Sequence, residues 1–139
     1  MNFTRRKTLM TGATAFAAAM LPFGAYAALS DDAIAEFTGG AEVGSEGITL
    51  TAPEIAENGN TVPIEVEAPG AVSIMVLAAG NPNPDVGTFN FGPLAARQYA
   101  STRIRLAGTQ DVIAVAKMQD GSFVQASTEV KVTIGGCGG

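Results

Sequence analysis

The single cysteine of the 139-residue chain, Cys137, stands in the run Gly135-Gly136-Cys137-Gly138-Gly139, two residues from the end of the sequence. A thiolate is a nucleophile and can hold a covalent adduct, so Cys137 is the candidate seat of chemistry. Glycine lacks Cβ and has the widest conformational range of any residue. Gly135, Gly136, Gly138 and Gly139 around one thiol therefore predict a thin, flexible arm that offers the sulfur to something outside the domain. Extended, these five residues reach about 17 Å at roughly 3.3–3.6 Å each. Low-pKa thiols sit at helix N-termini or beside fixed cations. Here Lys131 falls on a different element and the terminal carboxylate is negative. The thiol is expected to be ordinary in the free protein and activated only inside a partner's site.

Other chemistry is poorly supplied. The chain has no histidine, which removes His-based triads and most zinc sites. The acidic residues fall on expected turns and outer strand faces, where solvated surface is their usual role. Gly39-Gly40 and Gly135-Gly136 lack the strand-to-helix setting and the Lys-Ser/Thr pair of a phosphate loop. No metal site, cofactor or intrinsic enzymatic activity is expected. One cysteine without an internal partner implies a reactive thiol or an intermolecular bond. The alternative reading is thus an interaction module tethered to a partner by a permanent Cys137 disulfide. The position does not fit a prenylation box, which places three residues after the cysteine.

The other end of the sequence bears on location. Thr4-Arg5-Arg6-Lys7-Thr8-Leu9-Met10, the apolar run Gly12 to Leu21 and the site Ala25-Tyr26-Ala27 form a twin-arginine signal pattern, expected to be cleaved after Ala27. The apolar run is shorter than the about 20 residues a bilayer span needs. Periplasmic delivery follows as an expectation. All 13 acidic residues but only five of the eight basic ones lie beyond residue 27, so the mature chain has a formal charge of −8. That balance disfavours nucleic acid and anionic membrane as partners.

The elements that must carry the arm follow from periodicity. Ser30-Asp31-Asp32 resembles a helix start and Gly39-Gly40 a stop, with Ile34 and Phe37 spaced to pin a short helix onto the body. Residues 28–46 are read as that helix and a linker. Thr61 to Ala68 alternates, with Val62, Ile64, Val66 and Ala68 on one face, and Pro63 predicts an edge position or a bulge. Ala71 to Ala79 is apolar nearly throughout, as in a strand covered on both faces, a reading favoured over a core helix by the many turns around it. Ser101 to Leu106, Asp111 to Met118 and Ser122 to Ile134 are further strands, with a first near Gly47 to Thr51 and a hairpin turn at Asp120-Gly121. Val124, Ala126, Val130, Val132 and Ile134 share one face of the last. The segment 80–93, rich in Gly, Pro and Asn, reads as a long loop whose Phe89 and Phe91 either tuck into the core or face a partner. The expected fold is all-β. Residues 47–134 form an immunoglobulin-like antiparallel β-sandwich, preceded by the short helix and followed by the arm at 135–139.

Several blocks resemble one family. The terminal Gly-Gly-Cys-Gly-Gly, Pro53 to Pro63 with its Glu-Asn-Gly-Asn, Ser101 to Leu106, Asp111 to Met118 and the twin-arginine leader are similar to SoxY, the sulfur-carrier subunit of the thiosulfate-oxidising (Sox) system. In the leader, Lys7-Thr8 departs from the usual residues after the arginines. The resemblance implies a heterodimer with SoxZ and a cycle of covalent adducts on Cys137. In that cycle the haem enzyme SoxXA joins thiosulfate to the thiol, SoxB hydrolyses off sulfate, and a sulfane dehydrogenase oxidises what remains. It also implies that metals and haems belong to those partners and that the carrier is a substrate of enzymes, itself none.

Overall fold

Burying Val62, Ile64 and Val66 while exposing Pro63 and Glu65 is possible only for extended backbone, and that requirement sets the architecture. The computed structural model describes residues 24–136, with side chains from Ala28 onward. The twin-arginine start, Cys137, Gly138 and Gly139 lie outside the described residues. Helix α1 (Gly24–Thr38) precedes the strands β1 (Val43–Gly44), β2 (Thr49–Thr51), β3 (Ile55–Asn58), β4 (Val62–Glu67) and β5 (Ala71–Ala78). They are followed by β6 (Asp85–Asn90), β7 (Tyr99–Ile104), β8 (Gln110–Met118) and β9 (Phe123–Ile134). One sheet runs β1-β9-β8-β5-β6 with β3 also paired to β9, and the second runs β2-β4-β7. The fold is the expected all-β sandwich of immunoglobulin type, without the Cys-Trp-Cys core of antibody domains.

The two sheets enclose one apolar core. Val62, Ile64, Val66 and Ile104 of the smaller sheet meet Ile74, Val76, Val112, Ala114, Ala116 and Val130 of the larger. The opposite face of the larger sheet is apolar too, and α1 covers it. Ala33, Ile34 and Phe37, with Ile113, pack on Met75, Leu77 and Val115, so β5 is buried on both sides from Ser73 to Ala78, as its sequence predicts, while Val72 stays exposed. The ring of Phe37 meets Phe123 edge-on at 5.8 Å between centroids. The helix stops as expected. Gly39 takes a left-handed conformation (φ 65°) and the Gly40 N–H donates to the Ala35 carbonyl at 3.1 Å, a Schellman end.

Several expectations are corrected. The helix starts at Gly24, not near Ser30. Ala25, Ala27 and Ala28 are strong helix formers that carry it through the Ala-x-Ala site, and Ser30 is buried inside it. The sandwich begins at β1, inside the expected linker, because Val43–Gly44 pairs in parallel with Phe123 and Val124. Residues Ile55–Asn58, for which no strand is predicted, form β3, also parallel to β9. Strand β4 is central, not an edge. Pro63 is tolerated because β2 ends at Thr51, opposite Glu65, leaving the proline beyond its reach on that side. The segment 80–93 contains the edge strand β6, which lays Phe89 against Ile74, and both Phe89 and Phe91 pack on the core. Ile134 is 66% exposed, because β9 outruns the core that Val130 and Val132 still reach.

Phe37→Ala is expected to lower stability by about 2 kcal/mol, below the range for a fully buried ring because Phe37 is half-buried. A shifted urea midpoint with unchanged far-ultraviolet dichroism of the sheet checks this.

Candidate functional site

Cys137 lies just beyond the described residues, so the site is approached through the backbone that delivers it. Three segments converge at the end of β9: the turn at Asn58–Asn60 after β3, residues 105–107 after β7, and Ile134 to Gly136. The Gly59 N–H donates to the Ile134 carbonyl at 2.7 Å, the Leu106 N–H to the Gly59 carbonyl at 2.8 Å, and the Gly136 N–H to the Leu106 carbonyl at 2.8 Å. Leu106 itself is fully buried. The Asn58 side chain shapes the turn by accepting from the Asn60 N–H at 3.0 Å.

The approach is too close for side chains. A Cβ on Gly59 would stand 2.3 Å from the Leu106 carbonyl oxygen and 2.7 Å from the Gly136 nitrogen. A Cβ on Gly135 would stand 2.3 Å from the Ala107 carbonyl oxygen, and one on Gly136 2.7 Å from that of Gly59. Contacts below 3.0 Å with backbone require the chain to move. Gly135 and Gly136, which the sequence reading places in a loose arm, are thus seated in the domain. They are glycine there because three backbones meet, and free conformation is not the reason.

Behind this seat lies a buried amide pair. Asn81 Nδ2 donates to the Arg105 carbonyl at 2.9 Å, and Asn81 Oδ1 accepts from the Ala107 N–H at 2.9 Å and from Gln110 Nε2 at 2.8 Å. Gln110 Nε2 also donates to the Gly108 carbonyl at 3.0 Å, and its Oε1 accepts from the Gly80 N–H at 2.8 Å. Thr109 Oγ1 accepts from the Val132 N–H at 3.0 Å and ties the same loop to β9. Of these residues the sequence reading singles out Gly59 only as a turn and Asn81 only as a loop residue, and it misses Leu106 and Gln110 as site residues. Gln110 carried a usable signal: it is the polar member of the inward series Gln110, Val112, Ala114, Ala116.

Perturbed titrations lie elsewhere. The Tyr99 hydroxyl donates to Glu65 at 2.8 Å, and this bond, more than any other cause, holds its pKa above the ordinary value. Asp120 accepts from the Ser122 hydroxyl and N–H, which lowers its pKa. Tyr99 begins β7 and Asp120 precedes β9, so both sit at the opposite end of the sandwich from Leu106 and Gly136. A shallow depression of about 190 Å³ beside Tyr99, lined by Thr49, Thr51, Glu65 and Arg97, belongs to that distant face. Among the described residues there is no cluster of three or more metal-ligating side chains, and no helix long and apolar enough to cross a membrane.

Comparison with known proteins agrees with this layout. The family model described as sulfur oxidation protein SoxY matches residues 34–137. The structure of the sulfur carrier protein SoxY from Chlorobium limicola f. thiosulfatophilum is 37% identical with a TM-score of 0.68, covering 77% of this chain and 94% of that one. A superoxide reductase (neelaredoxin) from Ignicoccus hospitalis is 20% identical with a TM-score of 0.55, covering 63% of this chain and 81% of that one, and shares the fold alone. Among curated protein sequences none matches. With three quarters of its length matched by the family model, from the helix through the glycine-flanked cysteine, the chain belongs to the SoxY family of sulfur oxidation proteins.

Proposed function

We propose that the protein is a covalent sulfur carrier, whose Cys137 takes up sulfur intermediates of thiosulfate oxidation and presents them to partner enzymes. The observation that carries the reading is the family match, which extends through the chain's single cysteine. The likeness to the Chlorobium sulfur carrier supports it. So does the seat of Gly135 and Gly136, which delivers the chain to Cys137 from a fixed point at the end of β9.

The chemistry asks little of the carrier itself. Joining the thiol sulfur to the outer sulfur of thiosulfate gives a cysteine S-thiosulfonate and releases one proton and two electrons. A haem partner such as SoxXA accepts the electrons. Hydrolysis by SoxB then frees sulfate and leaves a persulfide for a sulfane dehydrogenase. The carrier supplies a thiol, a narrow approach and a rigid base. In this reading it pairs with SoxZ, is exported to the periplasm by the twin-arginine leader, and needs no cofactor of its own. An acidic domain holds a sulfur anion by a covalent bond where its field alone would repel it.

The direct test is the intact mass of the protein after incubation with thiosulfate and the partner enzymes. The expected product is a reductant-labile thiosulfonate or persulfide on Cys137, absent in Cys137→Ser. A single stoichiometric disulfide to another protein would instead establish the tethered-module alternative. Gly138→Val is expected to slow loading severalfold by widening the segment next to the thiol, with thermal stability unchanged. Gly136→Val acts differently: its side chain collides with the Gly59 and Leu106 carbonyls, so it should destabilise by about 1–3 kcal/mol as overpacking does. Gly59→Ala should cost a similar amount, whereas Gly108→Ala, with open space around its Cβ, should leave the melting temperature within error.

A further inference from the structure

We propose that Asn81 and Gln110 are positioning residues for the carrier thiol: together they fix the segment 105–107 and, through it, the point from which Cys137 leaves the domain. The inference rests on the carrier reading and goes beyond the cysteine and its glycines. Both residues are buried, Asn81 at 2% and Gln110 at 8% exposure. No buried side-chain nitrogen or oxygen among the described residues lacks a hydrogen-bond partner.

The geometry is that of a surrogate strand. In extended backbone, successive residues direct their N–H and C=O groups to opposite edges. On one edge of 105–107, the Asn81 amide takes the Arg105 carbonyl and the Ala107 N–H, as a neighbouring strand would. On the other edge, Leu106 gives its N–H to Gly59 and its carbonyl to Gly136. Gln110 holds Asn81 Oδ1 from behind and anchors itself to Gly80 and Gly108. An apolar pair could fill the space. It could not grip a donor and an acceptor of the same loop, and Leu106 would then be free to shift relative to Gly136. The amide pair therefore sets where the thiol-bearing segment starts, as distinct from how well the sandwich is packed.

The test uses the full chain with Asn81→Ala and, as a milder change that keeps side-chain length, Gln110→Met. Amide exchange followed by NMR should rise at least tenfold at Gly136, against a smaller factor at Val76 in the centre of β5. Loading by the haem partner should show a KM for the carrier raised severalfold with kcat little changed, while alkylation of Cys137 by iodoacetamide keeps its wild-type rate. Gly136 exchange that stays at the wild-type rate, or rises only in step with Val76, overturns the proposal and leaves the pair a general stabilising element. If Asn81→Ala does not fold, Gln110→Met decides alone. Failure of the wild-type chain to load at all would refute the carrier reading, and the exchange comparison at Gly136 would still decide the positioning role.

Discussion

Three backbones approach within hydrogen-bonding distance at Gly59, Leu106 and Gly136, and much of the molecule is arranged around that contact. Leu106 follows β7 of the smaller sheet, whereas Gly59 and Gly136 follow β3 and β9 of the larger. The contact therefore joins the ends of strands from the two sheets by main-chain hydrogen bonds. It also explains why glycine is required on both sides of the join. Any Cβ at Gly59 or Gly135 would sit 2.3 Å from a carbonyl oxygen. The same atoms that close the sandwich thus determine how the chain leaves it.

How much of this was legible depended on whether the information lay in side chains or in backbone. Strand β4 was readable because Val62, Ile64 and Val66 alternate with polar positions. Strand β5 was readable because it is apolar apart from Ser73, and the helix lid because Ile34 and Phe37 fall three residues apart. Strands β1 and β3 were not, since two and four residues cannot display a period and their pairing is supplied by β9. Strand β6 was hidden by Gly87, Asn90 and the prolines before it, although Gly87, Phe89 and Phe91 do alternate with Val86, Thr88 and Asn90. The arm root was the least legible part. A close approach between segments far apart in sequence leaves only glycines behind, and those glycines look the same as glycines chosen for flexibility.

Charge plays a different part from packing. The exposed pairs on the outer face of the smaller sheet, Arg97 with Glu67 and Tyr99 with Glu65, add little to stability in water. Arg97 also lies over the Tyr99 ring at 4.9 Å, which holds its guanidinium on that face and away from the end of β9. The described part of the arm root is held together by main-chain groups and neutral amides, with the exposed Arg105 as the charged residue of the segment 105–107.

The length of β9 has a kinetic meaning. At twelve residues it is held by β8 along most of its course, by β1 at its start and by β3 at its end, so its last residue is a fixed pivot. Cys137 is one residue past the seated Gly136. If Cys137 is the carrier thiol proposed above, a partner docked on the sandwich would meet it on a very short tether, at the millimolar local concentration typical of such tethers. On that reading, each successive enzyme would be met at nearly the same effective molarity. The order of its reactions would then be governed by which partner is docked, since the step after docking does not depend on how dilute the protein is.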